Sequence, residues 1–264
     1  MRIDVGGHEL HVEVSGQGAP LVLAHGLGMD LRIWDAVLPL LPAGLRVIRY
    51  DARGHGQSDV PEGPYRMGGL VRDAERLLEA LNVQDAVFCG LSLGGMVAQG
   101  LAVKRLDQIR ALVLSNTAAK LGTPALWQKR AEAVAAQGLA HFTEGIAGLW
   151  FGRDFRKSGD VELWTDRLAA CPVDGYTATC AAIGGTDFYT PTSGLRLPVL
   201  GLAGTEDRST PPDLMRETVM LVPGAQFHML RRVGHMAPVE APEVWTGQLT
   251  GFLRDIGHIE TAHG

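Results

Sequence analysis

One serine stands among three glycines in the segment VFCGLSLGGMVAQ, residues 87–99. Ser92 follows an apolar run that predicts a β-strand and precedes a run that predicts a helix, with Gly90 and Gly94 two positions away on either side. This Gly-x-Ser-x-Gly pattern is typical of a nucleophile elbow, a sharp strand-to-helix turn that exposes the serine hydroxyl. The pattern alone also fits a glycine-rich helix cap, but the flanking strand and helix favour a nucleophilic serine.

A nucleophilic serine needs a general base, and the base needs a carboxylate that orients it. Asp207 follows the apolar run at 197–204, in the segment GTEDRSTPP. Functional residues of parallel sheets gather at such strand ends. Glu206 is a rival by adjacency, whereas Asp213 fits the first turn of the next helix. We therefore predict that Asp207 is the acid, with Glu206 as the alternative.

The base is predicted to be a histidine that follows the acid in the chain, and four of the nine histidines follow Asp207. His228 lies in a strand-like run, and His258 and His263 belong to a C-terminal tail that carries no packing pattern and is expected to fray. His235 lies on a loop between the strand-like run and the last predicted helix. Its place on this loop favours His235 as the base.

Attack by a serine on an ester carbonyl creates an oxyanion, which two convergent N–H groups would stabilise. One donor is predicted to be the backbone N–H of Leu93, the residue after the serine. The other is predicted to be the N–H of Leu27, in the segment AHGLG that follows a predicted strand. A second glycine-rich segment, DARGHGQSD at 51–59, is interpreted as a tight loop that packs against the elbow, with His55 in a structural role.

These residues must be positioned by a sheet, and the chain carries the pattern of one. Nearly continuous apolar runs that stop at Gly, Asp or Asn are typical of parallel strands covered on both faces. The runs occupy 21–26, 46–51, 86–90, 111–116 and 197–204. Amphipathic segments, such as 68–81 and 241–256, predict helices. The alternation predicts an α/β fold with right-handed crossovers.

One region interrupts this alternation. Residues 120–192 contain no convincing strand and are interpreted as a helical cap inserted after the sixth strand. About four helices are predicted within it, at 124–137, 139–150, 160–170 and 174–183. Residues 1–119 and 193–264 would then form the core domain.

Composition limits the possible functions of the chain. With 264 residues, 46% of them hydrophobic and 20% charged, it is expected to form a soluble globular domain. A net charge of −5 without a basic run argues against nucleic acid, and no apolar run reaches the length of a membrane span. The N-terminus lacks the apolar core of a signal peptide, and three cysteines make no disulfide framework, so we expect a cytoplasmic protein. Nothing in the sequence indicates an oligomeric state.

Four segments together resemble the 3-oxoadipate enol-lactonases, which are α/β-hydrolases of bacterial aromatic catabolism. They are RYDARGHGQSDVPEGPY, FCGLSLGGMVAQ, SNTAAKLGTP and AGTEDRSTPP. The resemblance runs from about residue 20 to residue 255 and implies the α/β-hydrolase fold, a mostly parallel sheet flanked by helices. It implies a serine hydrolase that opens 3-oxoadipate enol-lactone to 3-oxoadipate through an acyl-enzyme, in protocatechuate and catechol breakdown. The family's triad carries over onto Ser92, Asp207 and His235.

The resemblance also suggests residues that would bind the substrate, a small-molecule lactone. Trp34 and Trp150 are suggested as aromatic pocket residues. A dicarboxylate-like substrate needs a cation, and the candidates are Arg130, Arg153 and Lys120, each of which also fits a solvated surface charge. No metal or organic cofactor is required.

Two departures from the family pattern keep other functions open. Family members often have a Ser-Asn-Ser-Leu-Gly type of segment where this chain has AHGLG, and a basic residue where it has Leu149. The alternatives are a meta-cleavage C–C hydrolase, a carboxylesterase or a perhydrolase, all with the same triad. A catalytically vestigial, ligand-binding member of the fold is the alternative from another class.

Overall fold

Eight strands form one sheet in the order β1-β2-β4-β3-β5-β6-β7-β8, in a computed structural model that describes residues 1–260. The strands are β1 (Arg2–Asp4), β2 (Glu9–Ser15), β3 (Ala19–Ala24), β4 (Leu45–Tyr50), β5 (Ala86–Leu91), β6 (Ile109–Ser115), β7 (Val199–Gly204) and β8 (Gln226–Leu230). The pairings from β4 to β8 are parallel, and only β1 with β2 and β2 with β4 run antiparallel. Every residue of β5 and β7 is buried, as expected for central strands covered on both faces.

Helices lie on both sides of the sheet, which confirms the predicted fold class. They are α1 (Met67–Ala80), α2 (Leu93–Lys104), α3 (Pro124–Gln137), α4 (Thr143–Trp150), α5 (Val161–Ala169), α6 (Val173–Gly184), α7 (Tyr189–Ser193), α8 (Pro212–Met220), α9 (Ala237–Glu240) and α10 (Pro242–Asp255). The two helices predicted at 68–81 and 241–256 correspond to α1 and α10. Both bury the apolar stripe from which they were predicted, for example Leu70, Ala74 and Leu77 in α1.

Helices α3 to α7 all lie between β6 and β7, and α7 extends one residue beyond the predicted region of 120–192, which we call the helical insertion. The four predicted helices are present, although the one expected at 139–150 begins with a short 3-10 turn at Leu139–Phe142 before α4. Helix α3 packs on α6, and together they form one wall of the cavity described below. The separation of this insertion from the core as a domain of its own stays a prediction.

The C-terminal tail was expected to fray, and this is wrong for its first residue. His258 is buried, and its Nε2 lies 3.1 Å from the carbonyl oxygen of Pro20. Burial lowers the pKa of this imidazole from its ordinary value. His263 lies outside the described residues. No helix within residues 1–260 is both long and apolar enough for a membrane span.

Candidate active site

The serine lies on a strained turn between β5 and α2. Ser92 has φ 54° and ψ −113°, a conformation that L-residues rarely adopt. Its N–H donates to Ser115 O at 3.0 Å. Its carbonyl accepts from Thr117 Oγ1 at 2.6 Å and from the N–H groups of Gly95 and Met96 at 3.0 and 3.2 Å. The strain is thus supported by the neighbouring strand β6 and the loop after it.

Close contacts of the main chain explain the two glycines that flank this turn. A Cβ atom placed on Gly90 would overlap the backbone of Gly94, and one placed on Gly94 would overlap the carbonyl of Ala24. Neither obstacle is the end of a flexible side chain, so neither can move aside. The glycines therefore permit the sharp turn that places Ser92 at the end of the sheet.

A buried carboxylate holds the histidine. His235 Nδ1 lies 2.8 Å from Asp207 Oδ2, which also accepts from Asn116 Nδ2 at 3.0 Å. The other oxygen, Oδ1, accepts the backbone N–H groups of Ser209 and Thr210, each at 2.8 Å. Four donors thus surround an acceptor-only carboxylate, so Nδ1 of His235 carries the proton and Nε2 is left free to act as a base. Sequence reasoning missed Asn116, although it follows β6 at the same edge of the sheet.

The two other carboxylates considered for the acid, Glu206 and Asp213, have different roles. The Glu206 carboxylate accepts the backbone N–H of Arg153 at 2.7 Å and pairs with its guanidinium, and these bonds hold its pKa below the usual range. Asp213 is a first-turn residue of α8, as expected. Of the three candidates for the acid, Asp207 is the one hydrogen-bonded to His235.

Ser92 and His235 line one cavity of about 380 Å³ between the sheet edge and the helical insertion. This volume is within the range of small-molecule sites. The hydrogen bonds found in residues 1–260 do not include one between Ser92 Oγ and His235 Nε2. In enzymes without ligand such bonds are often long and tighten in the substrate complex.

Leu27 and Leu93 have backbone N–H groups beside the serine. Within the described part of the chain neither N–H donates to a protein acceptor, which is the state expected of an oxyanion hole. Leu93 is the first residue of α2, where the helix dipole adds positive potential. Gly26 brings the Leu27 turn against the nucleophile, since a Cβ on Gly26 would lie 3.3 Å from Ser92 Cβ.

His25 fixes this turn. Its Nε2 accepts the N–H of Ala52 at 2.9 Å, so its Nδ1 carries the proton and donates to Gly26 O at 2.7 Å. Its ring packs on His55, with 5.3 Å between ring centroids, and burial lowers the pKa of His55 to about 3. His55 is therefore a neutral packing element beside His25, which agrees with the structural interpretation of the segment at 51–59.

Only part of the expected substrate-binding set reaches the cavity. Trp150 and Arg130 line it, with Arg130 Nε donating to the Tyr176 hydroxyl at 2.8 Å. Trp34 does not line it, and its assignment to the pocket is wrong. It is fully buried against Trp245, with 5.4 Å between ring centroids, because the 3-10 turn that carries it faces the core.

Two of the three proposed cations lie outside the cavity, which corrects their assignment. Lys120 pairs with Asp187 at 2.8 Å, and Arg153 pairs with Glu206 at 3.0 Å, both with exposed cationic side chains. Each side chain forms an ion pair with a carboxylate at the surface, so neither points into the cavity where a substrate would bind.

Sequence reasoning missed Arg208, which lines the cavity and follows Asp207 directly in the chain. Within residues 1–260, neither Arg208 nor Arg130 has a carboxylate within ion-pair distance. The position next to the acid, on a loop at the sheet edge, was the signal that could have identified it.

Known proteins resemble this chain over nearly its whole length. A family model described as alpha/beta hydrolase fold matches residues 19–242. The 3-oxoadipate enol-lactonase 1 of Acinetobacter baylyi is 32% identical over 257 residues, which cover 95% of each protein. The crystal structure of the enol-lactonase from Burkholderia xenovorans LB400 superposes with a TM-score of 0.92 at 32% identity, over 96% of this chain and 99% of that one. A thermophilic esterase from Thermogutta terrifontis, solved with malate bound, gives 0.91 at 29% identity over 97% and 99%.

Proposed function

Because this chain belongs to the 3-oxoadipate enol-lactonase family of α/β hydrolases, we propose that it opens the ring of 3-oxoadipate enol-lactone to give 3-oxoadipate in aromatic catabolism. Membership of this family makes the chain an enzyme that hydrolyses esters or lactones. The observation that carries the finer proposal is the cavity lined by Ser92 and His235, with two arginines that have no carboxylate partner among residues 1–260. We assign the reaction to the cytoplasm, as the cysteine content predicts.

The first half of the reaction forms an acyl-enzyme. His235 Nε2 takes the proton of Ser92 as Oγ attacks the lactone carbonyl, and the N–H groups of Leu93 and Leu27 stabilise the oxyanion. The ring C–O bond then breaks, and the enol oxygen leaves with the proton from His235. An enol is a good leaving group, so it needs little assistance from the acid. Asp207 holds the imidazole in the required tautomer and stabilises its charged form.

The second half releases the acid. A water molecule gives its proton to His235 Nε2 and attacks the acyl carbonyl, a second tetrahedral intermediate collapses, and Ser92 Oγ regains the proton. The released enol tautomerises to the ketone of 3-oxoadipate. Every proton transfer up to the release of the product passes through His235, so the hydrolysis needs no metal or organic cofactor.

The arginines give the substrate its orientation. The lactone carries a free carboxylate, and a guanidinium binds a carboxylate strongly and in a defined plane. Arg130 on α3 is held by the Tyr176 hydroxyl and lies over the rings of Trp127 and Tyr176, which leaves its terminal nitrogens for a ligand. Arg208 approaches from the acid loop, so the carboxylate would lie between the insertion and the core.

Hydrolysis of enzymatically generated 3-oxoadipate enol-lactone, measured beside p-nitrophenyl acetate, tests the proposal. The lactone should have a kcat/KM that is at least about 100-fold higher, because it alone uses the arginines. A lactone value no higher than that of the ester would make the chain a general carboxylesterase. That second candidate is favoured by Leu149, an apolar residue that lines the cavity where family members often carry a basic one.

A further inference from the structure

We propose that Glu240 is a positioning residue, which holds the loop of His235 in place by tying it to the end of helix α4 in the helical insertion. This inference rests on the role of His235 in the proposed function. Glu240 is the last residue of α9, does not line the cavity and cannot touch the substrate. It would therefore act only through the histidine.

The Glu240 carboxylate binds backbone on both sides of His235. Its Oε1 accepts the N–H of Gly234 at 3.1 Å and that of Met236 at 3.2 Å, and its Oε2 accepts the N–H of Gly234 at 3.0 Å. The residues immediately before and after the histidine are thus bound to one side chain. A carboxylate can accept all of these bonds at once because it has no proton to donate.

The same carboxylate also holds the insertion. Oε2 of Glu240 accepts the N–H of Gly152 at 2.8 Å, two residues beyond α4. The N–H of His235 itself donates to Trp150 O at 2.5 Å, so a second bond joins the same two segments. The position of His235 and the position of α4 are therefore set by one group of hydrogen bonds.

Residues 149–153 also bind the loop that carries the acid. The N–H of Arg208 donates to Leu149 O at 3.3 Å, and the N–H of Arg153 donates to Glu206 Oε2 at 2.7 Å. This short piece of backbone thus links the acid loop and the histidine loop, and Glu240 is the side chain that fastens it on the histidine side. Through residues 149–153, the helical insertion that would bind the substrate is therefore connected to His235, the base.

The ionisation of Glu240 gives the proposal a measurable signature. Burial raises the pKa of this carboxyl to about 7, against the opposing effect of the N–H donors. The charged groups around it are His235 on its own loop, Glu206 on the acid loop and Arg153 on the insertion. Protonation of Glu240 as the pH falls below about 7 removes acceptor capacity, so activity should fall more steeply in this range than loss of the base alone requires.

Glu240→Gln tests the proposal. Its amide NH₂ can only donate, so it would face backbone N–H groups whose hydrogen bonds one carboxylate oxygen had accepted. We expect kcat to fall about 10- to 100-fold for both the lactone and p-nitrophenyl acetate, with KM changed less than about two-fold. Within one to two pH units below pH 7, the acid limb of log kcat/KM against pH should be steeper than a slope of 1 in the unchanged protein and should have a slope near 1 in the variant. Glu243→Gln, at an exposed carboxylate in the first turn of α10, is the matched control and should alter neither quantity.

A Glu240→Gln protein with the kcat of the control, or with an unchanged acid limb, would overturn the proposal. Thermal unfolding at each assay pH sets the temperature at which each variant stays folded, so that the slope of the acid limb reports activity and not loss of folded enzyme. If the unchanged protein cleaves p-nitrophenyl acetate but not the lactone, the proposed substrate fails while the effect on the ester still tests Glu240.

Discussion

The two walls of the cavity are held in different ways. On the sheet side, Ser92 is fixed by the backbone of its turn, and Asp207 and His235 by a closed set of buried hydrogen bonds. On the insertion side, Arg130 rests on two aromatic rings and one hydroxyl, with no carboxylate partner among residues 1–260. The groups that position the acid and the base are paired without a ligand, whereas the insertion wall carries a charge that a ligand can still satisfy.

This difference assigns the chemical reaction to the sheet wall and the choice of substrate to the insertion wall. A wall whose base is held by paired groups, with the reacting atoms and the oxyanion donors left free, can be predicted to perform one type of chemistry on any carbonyl that reaches it. A wall with an unpaired guanidinium selects which carbonyl compound arrives and in what orientation. Members of one fold can therefore share the first wall and differ in substrate through the second, which is why a function cannot be assigned from the fold alone.

The sheet wall should fail completely when its nucleophile is removed. Ser92→Ala is expected to lower kcat by about 10⁵-fold or more, since removal of a nucleophile leaves only the contribution of the oxyanion hole and of binding. KM and the unfolding temperature should change little, because Ser92 Oγ supports no part of the fold. Steady-state assays with the lactone measure kcat and KM, a burst assay with p-nitrophenyl acetate measures acylation, and thermal unfolding measures the unfolding temperature. A variant that keeps even a tenth of the original turnover would show that another group attacks the carbonyl.

Loss of the acid should cost less than loss of the nucleophile. Asp207→Asn places an NH₂ group against Asn116 and His235, so the imidazole takes the wrong tautomer and kcat should fall about 10⁴-fold. The matched control is Glu206→Gln, the neighbouring carboxylate that binds Arg153 instead. Equal losses in the two variants would contradict the assignment of the acid.

Local rules explain why most of this wall could be predicted from the sequence. The turn at Ser92 needs glycine at two fixed positions, and the acid and base follow strands whose ends must meet at one edge of the sheet. Helices α1 and α10 could be predicted because each buries one apolar stripe, so its apolar residues recur with helical spacing. None of these features depends on knowing which distant side chains come together.

The direction of single side chains could not be predicted in this way, and Trp34 is the clearest case. Its segment, LRIWD, does not reveal whether the ring faces the cavity or Trp245. Trp34→Ala should therefore lower the free energy of unfolding by about 3–5 kcal/mol, with kcat/KM of the folded protein nearly unchanged. Trp34→Phe is the control, and should cost much less because the indole N–H has no partner in residues 1–260. Denaturant unfolding measures the free energy of unfolding, and the ester assay measures kcat/KM. A large rise in KM with unchanged stability would show that Trp34 contacts the substrate.

The charges were predicted least well, for a related reason. Arg153 and Lys120 have the correct charge and lie in the correct region, but each pairs with a carboxylate that is distant in sequence or in another element, Glu206 and Asp187. Ion pairs between flexible surface side chains depend on the final geometry of the fold, which a local pattern does not contain.

The insertion wall should respond with a smaller and more selective effect. Arg130→Gln removes the charge and leaves a shorter, neutral polar side chain, so KM for the anionic lactone should rise about 10- to 100-fold with little change in kcat. KM for the neutral p-nitrophenyl acetate should stay within about two-fold, because that ester has no carboxylate for the guanidinium to bind. The ratio of the two KM changes, rather than either value alone, reports the loss of a charge-specific contact.

Lys120→Gln makes the comparison strict, since it removes one positive charge from the same insertion at a residue that is paired outside the cavity. If the lactone responds only to the overall charge of the protein, Lys120→Gln and Arg130→Gln should raise KM equally, and the effect should vanish at high salt. If Arg130 binds the carboxylate directly, Lys120→Gln should leave KM unchanged and the Arg130 effect should persist in salt, since contacts buried in a cavity are screened much less than exposed charges. Equal responses of the lactone and the neutral ester to Arg130→Gln would instead mean that this wall excludes water or shapes the cavity without selecting for charge.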